Sequence, residues 1–379
     1  MTSFYPVARP MLSRLVVGLL LLGLVHRAWA DCECGYSAVI DDDTPLFTDL
    51  IETDFAHLDD IATNTDWVRQ AFNVTADKAR GSYGEMYQAD NMRTAVSTNA
   101  KTEDGQAKNG QPAGLELVVN PRLVNGMVPA AEIDSSRTDV LFGTFRASMR
   151  LTNVAGTCSA FFWYFNDTQE IDMEFLSREY NTTNSTYPVN LVLQSREAAE
   201  SGFDAAGTPT FVKANLPFDP TANFHEYRID FLPGKVVFYA DNEVLAEMGS
   251  DAVPTHAGHL VMQQWSNGNP QWSGGPPTQD ATTTVAYVKA YFNSSSSQRQ
   301  SDWAHRCRDM NAPGAVCPIP EMTATNSTPS EWFFTNQGNM TNNQTVSGQD
   351  SAGTSVSVMD NLWLMLIVSL LVAGRVRVW

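Results

Sequence analysis

From about residue 84 onward the chain sets short apolar runs between glycine, proline, asparagine and aspartate. The runs are rich in β-branched and aromatic residues: LELVVN, VLFGTFRASMRL, SAFFWYF, EIDMEF, PVNLVLQ, HEYRIDFL, KVVFYAD, HLVMQQW and TVAYVKAYF. Several alternate apolar with polar positions at a period of two, the pattern of a strand with one face in a core and the other wet. Helical periodicity is nearly absent; it is expected only in FTDLIETDFAHL, within the acidic stretch 31–80. The predicted fold is all-β, an antiparallel sandwich or barrel. Two curved antiparallel sheets in a jelly roll would offer a concave groove long enough for a polymer. FLPGKVVFYADNEVLAEM predicts paired hairpins with tight turns at Pro233-Gly234 and Asp241-Asn242. No internal repeat is visible.

Both ends read as addresses. Arg9 and Arg14 precede an apolar run over 15–25 and the small-residue pattern Ala28-Trp29-Ala30. This predicts a secretory signal over 1–30, cleaved before Asp31; the run is short for the alternative, a membrane anchor. Residues 351–379 pass from Ser351, Ala352 and Gly353 through a polar spacer to an apolar tail. That layout fits a GPI-attachment signal with Ser351 as candidate anchor site. Arg375 and Arg377 depart from it and keep a short transmembrane helix open as the alternative. Either end state tethers the protein to a membrane, facing outward, at the cell surface or wall. Residues 321–350, rich in Ser, Thr, Asn and Gln, predict a glycosylated stalk, which leaves 31–320 as the folded domain.

Secretion gives meaning to eight acceptor sequons, at Asn73, Asn166, Asn181, Asn184, Asn293, Asn326, Asn339 and Asn343. It also bears on the five cysteines. Cys32 and Cys34 near the mature start, and Cys307 and Cys317 near the end of the domain, are expected to pair among themselves in an unspecified connectivity. Cys158 lies in an apolar strand and reads as a small buried hydrophobe. Nothing marks a metal site. The formal net charge of −18 excludes a nucleic-acid partner, which needs a basic surface.

Candidate chemistry lies in NDTQEIDMEFLS. Glu170, Asp172 and Glu174 fall at i, i+2 and i+4, so on a strand they share one face while Ile171, Met173 and Phe175 take the other. A solvated strand face would also look like this. Clustered carboxylates, however, push at least one pKa upward and keep a proton near working pH. Glycosidic bond cleavage needs such a pair, and retention of configuration wants the two carboxyl groups roughly 5–5.5 Å apart. Outer Cα atoms on a flat strand would be about 13 Å apart, so a concave strand and long side chains must close the gap. Trp163, Tyr164, Trp265 and Trp272 are residue types that stack on sugars, and the last two sit in the Gly/Pro-rich QQWSNGNPQWSGGPP. Phe162 is assigned to packing.

EIDMEF resembles the E-x-D-x-E signature of glycoside hydrolase family 16, the retaining β-glucanases and transglycosylases with a concanavalin A-like fold. VLFGTFRASMRLTNVAGTCSAFFWYF, FDPTANFHEYRIDFLPGKVVFYADNEVLAE and MQQWSNGNPQWSGG are similar to its flanking segments, in the expected order, over residues 115–292. The opening DCECGY looks like secreted fungal members. The resemblance implies Glu170 as nucleophile, Glu174 as general acid and base, and Asp172 as the partner that tunes the nucleophile. It loosely implies groove roles for Asn190 and Gln263. His225 matches the family's histidine in FHEY and is expected to be a structural hydrogen bonder. One residue between Asp172 and Glu174 is the regular-strand form, which leans towards lichenase or transglycosylase relatives. Family members often carry a structural calcium ion, for which no site is readable here; no cofactor is expected.

The expected function is a monomeric retaining endo-β-glucanase acting on cell-wall β-glucan. A glucanosyltransferase would use the same intermediate. A glycan-binding module has no need of three clustered carboxylates, and a structural surface glycoprotein no need of groove aromatics.

Overall fold

The computed structural model describes residues 31–98, 107, 112–202, 205–249, 251–321 and 333–336. The readings on the signal, the anchor, Ser351, Asn326, Asn339 and Asn343 lie outside these residues. Among the described residues no helix is long and apolar enough to cross a membrane.

Among the described residues, twenty strands run along the chain. The first ten are β1 (Gly35–Ser37), β2 (Leu46–Phe47), β3 (Asp49–Asp54), β4 (Trp67–Arg69), β5 (Phe72–Val74), β6 (Gly84–Tyr87), β7 (Met92–Ala95), β8 (Gly114–Val119), β9 (Met127–Ser135) and β10 (Val140–Arg150). The rest are β11 (Cys158–Asn166), β12 (Gln169–Leu176), β13 (Pro188–Gln194), β14 (Phe211–Asn215), β15 (His225–Leu232), β16 (Lys235–Ala240), β17 (Glu243–Met248), β18 (His259–Trp265), β19 (Ala281–Ser294) and β20 (Val316–Pro318). Helices are short: α1 (Ala76–Ala79), α2 (Arg196–Glu200) and α3 (Ser297–Arg306).

A nine-stranded groove sheet runs β14-β13-β12-β11-β18-β9-β6-β5, with β4 also on β9. An eight-stranded back sheet runs β17-β16-β15-β10-β19-β8-β7, with β3 on β19. Pairing in both is antiparallel except β6 with β9, which is parallel. The fold is thus an all-β sandwich of two antiparallel sheets. Alternation makes it so: Phe161, Trp163, Ile171, Met173, Phe175, Leu191 and Met262 from one sheet share a core with Phe145, Ile229, Phe231, Phe238, Val288 and Phe292 from the other. Each such buried side chain stabilises the fold by roughly 1.5–3 kcal/mol.

The two predicted hairpins are present as β15–β16–β17, with positive φ at Gly234, Asp241 and Asn242. The helix expected in FTDLIETDFAHL is instead β2 and β3. Phe292 to Tyr287 of β19 pair with Asp49 to Asp54, and Ile51 and Phe55 reach the core, so sheet pairing overrides a local pattern that fits either period.

The four terminal cysteines pair as Cys32–Cys317 and Cys34–Cys307. Beside them β1 pairs with β2 and β20, while Trp303 and Arg306 of α3 donate to the carbonyls of Cys34 and Glu33. Packing continues into the stretch expected to be a stalk: Phe333 and Phe334 are buried. Glu321 accepts from Arg146 and Arg228 on the outer face of the back sheet, at 2.9 and 2.8 Å. Of the sequons within the described residues, Asn73, Asn181 and Asn184 are exposed. Asn166 and Asn293 are half-buried, the latter in register with Leu141 inside β19.

Candidate active site

Glu170, Asp172 and Glu174 lie on β12 without a bulge, in continuous register with Tyr164, Phe162 and Ala160 of β11 on one side. On the other side they face Gln194, Val192 and Asn190 of β13. Because Ile171, Met173 and Phe175 are fully buried in the core, the three acids must face the groove. Asp172 is buried, and Glu170 and Glu174 are half-buried.

The three carboxyl groups are electrostatically one unit. Burial first, then the charges of Glu170 and Glu174, push Asp172 well above the usual carboxyl range. Its proton goes to Glu170 in a hydrogen bond that favours the Glu170 carboxylate. Glu170 is itself raised, by burial and by the charge on Glu174. Glu174 is raised by burial and moderated by two donors on a single oxygen. Trp272 Nε1 lies 3.3 Å from Oε1, and the Cys158 thiol 3.6 Å from the same atom. Arg80, at the end of α1, favours the charged forms of both glutamates.

Trp272 is held in place by its backbone. Arg178, just past β12, donates from Nε to the Trp272 carbonyl at 2.5 Å and from Nη2 to the Gln271 carbonyl at 2.7 Å. The loop is closed by Gly274 N to Asn269 O at 2.7 Å. It presses so closely on the preceding turn that a Cβ on Gly156 would lie 2.9 Å from the Gly275 Cα. Trp272 is therefore a wall of the groove beside Glu174. Trp265 and Gln263 pair with Cys158 and Ala160 and also face the groove. Asn190, opposite Glu174, is buried with its Nδ2 unpartnered.

Trp163 is a correction. It pairs with Ile171 and Leu260, is fully buried, packs on Phe231 and donates to the Val140 carbonyl at 3.0 Å. Its parity is that of the core, so it cannot stack on a groove ligand. Phe162, assigned to packing, is on the groove side, where it forms the floor with Ala160, Val261 and Tyr164. His225 has the structural role expected of it, 2.6 Å from Asp241 and stacked on Phe218.

A second acidic group was missed. Glu132 and Asp134 of β9 are in register with Gln263 and Val261, which puts them on the groove face. Gln263 donates to Glu132, and Gln70 donates to Asp134 at 2.7 Å. Glu85 of β6 accepts from Tyr87 and Asn267 at 2.9 and 3.2 Å. Burial, then the neighbouring Asp134, pushes Glu132 up to about 8; burial pushes Asp134 and Glu85 up to about 7. The signal was present in AAEIDSS, which alternates acids as EIDME does. Among the described residues no three His, Cys, Asp or Glu side chains gather as a metal site.

The profile described as Glycosyl hydrolases family 16 matches residues 92–289, more than half of the chain. Congo red hypersensitive protein 1 of Saccharomyces cerevisiae is 23% identical over 195 residues, 49% of this chain and 34% of that protein. A beta-glucanase of Paenibacillus polymyxa is 28% identical over 139 residues, 35% of this chain and 52% of the enzyme. The chain thus spans about half the length of these relatives, or less. Among solved structures, a β-1,3-1,4-glucanase (lichenase) from a mouse hindgut metagenome aligns with 64% of this chain and 99% of its own, at 18% identity and a TM-score of 0.47.

Proposed function

The chain belongs to glycosyl hydrolases family 16, and from that premise we propose that it is a retaining endo-β-glucanase whose groove takes a cell-wall β-glucan. The observation that carries the reading is the arrangement on β12: three carboxyl groups on one face of the strand, with Trp272 Nε1 3.3 Å from one oxygen of Glu174.

Glu170 attacks the anomeric carbon as the carboxylate, the form that the Asp172 hydrogen bond favours against burial. As that bond forms, the glycosidic C–O bond breaks and Glu174 gives its proton to the leaving oxygen. Glu174, now a carboxylate, takes a proton from water, whose oxygen displaces Glu170 from the sugar and restores the starting state. A sugar hydroxyl in place of that water turns hydrolysis into transfer. Trp265, Trp272, Asn190 and Gln263 bind the glycan along the groove. The protein is secreted, acts as a monomer and is held at the cell surface or wall by a C-terminal GPI anchor. Two disulfides suit that oxidising setting.

The test is azide rescue on laminarin, lichenan, xyloglucan and a labelled acceptor. E170A and E174A should each lose turnover by on the order of 10³-fold or more. Azide should restore the first as an α-glycosyl azide and the second as a β-glycosyl azide. Turnover by either variant at the wild-type rate would sink the mechanism. Product masses separate hydrolysis from transfer.

A further inference from the structure

Cys158 is the only free thiol of the chain, since the other four of five cysteines are bridged. Expected as a mere small hydrophobe, it is fully buried at the start of β11, yet on the groove side. Its sulfur lies 3.6 Å from two acceptors, its neighbour's carbonyl at Ser159 and Oε1 of Glu174. One thiol proton cannot serve both at once. The second donor on Glu174, Trp272 Nε1, reaches the same oxygen.

We propose that Cys158 is a positioning residue for Glu174. Its S–H turns to Oε1 when Glu174 is ionised and back to the Ser159 carbonyl when Glu174 is protonated. Trp272 Nε1 stays on Oε1 in either state, so the proton of the acid form sits on Oε2, the oxygen left to face the glycosidic bond. The inference rests on the acid/base reading of Glu174. Geometry and charge give it a direction: a donor to the carboxylate favours the ionised form, consistent with the lowering that Cys158 and Trp272 impose on Glu174.

Other titrating groups face this contact. Asp172 and Glu170 of β12 and Glu85 of β6 are carboxyl neighbours, Arg80 is the cation, and Tyr87 and Tyr180 also sense the thiol. A test must therefore isolate Glu174.

Because one thiol gives one S–H stretching band, Raman spectra of the unliganded protein across pH read the contact directly. The band should move to lower frequency as Glu174 ionises, and E174Q should hold it fixed although Glu85, Glu170 and Asp172 still titrate. A band that does not move in the wild type, or that still moves in E174Q, overturns the proposal whether or not β-glucan is the substrate. In kinetics, C158A should shift the basic limb of kcat/KM upward by roughly half a pH unit, as loss of one weak donor implies. C158S, which keeps a donor, should return the limb towards the wild-type position. An unmoved limb in a C158A that unfolds at the wild-type temperature would leave Cys158 a packing residue only.

Discussion

At the scale of single residues, Phe162 and Trp163 are neighbours with opposite fates. Trp163→Ala empties a core site between the sheets and should destabilise the fold by about 3–5 kcal/mol, read from the denaturant midpoint. Trp265→Ala, at the groove surface, should leave that midpoint within about 1 kcal/mol and raise KM instead. The parity of the three acids was legible in the sequence because Ile171, Met173 and Phe175 have only one place to go. The parity of SAFFWYF was not, since aromatics stand on both faces of β11 and alternation has no contrast to read. Glu132 and Asp134 had the contrast and were passed over. Their consequence is a pH dependence with the reverse of the usual carboxylate sign. Glu132 holds a proton in the native state up to about pH 8, while the unfolded chain releases it near pH 4. Between those values the native state binds more protons, so the stability that Glu132 contributes is full below about pH 4 and is lost steadily as pH rises towards about 8. Thermal midpoints should drop from pH 5 to pH 8. In Glu132→Gln, which keeps the amide-sized volume without the ionisation, the drop should be smaller.

At the scale of elements, β12 is only as useful as what is packed against it. Arg178 links the end of that strand to the loop carrying Trp272 through two backbone carbonyls. Arg178→Ala should loosen Trp272 and lower kcat by about tenfold, with little change in the unfolding midpoint, because the arginine itself is exposed. The back sheet makes a different demand. Arg146 and Arg228 are buried on its outer face, and Glu321 takes a donor from each. Glu321→Ala leaves both guanidinium groups short of a partner and should cost roughly 3 kcal/mol, measured by urea unfolding. None of this was visible in the text of the sequence. An arginine in a strand reads as a wet position until the segment that covers it is known, and that segment lies some 175 residues downstream of Arg146. The misread FTDLIETDFAHL has the same cause: its partner is β19, where Tyr291 lies 239 residues from Glu52 along the chain.

At the scale of the whole molecule, the all-β sandwich of two antiparallel sheets and the β15–β16–β17 hairpins followed from alternation and turn chemistry, whereas the order of strands within each sheet did not. The pairing of the cysteines did not, because connectivity is a fact of proximity rather than spacing. Cys32–Cys317 and Cys34–Cys307 close chain segments of 285 and 273 residues. In the chain-entropy view a loop of that size stabilises by about 5 kcal/mol, and the two nested loops share most of that gain. Reduction should therefore lower the unfolding midpoint substantially, with loss of activity following loss of the sandwich. The staple also sets a path for mechanical load. A pull between the two ends of the chain would first peel Phe333–Asn336 and the Glu321 contacts from the back sheet. It would then meet Cys317, and the tension would cross to Cys32 through the sulfur bridge. Both sheets, and the groove with its acids, hang outside that line as an unloaded loop. A protein drawn taut by a moving surface at one end would keep its groove geometry for as long as that bridge holds.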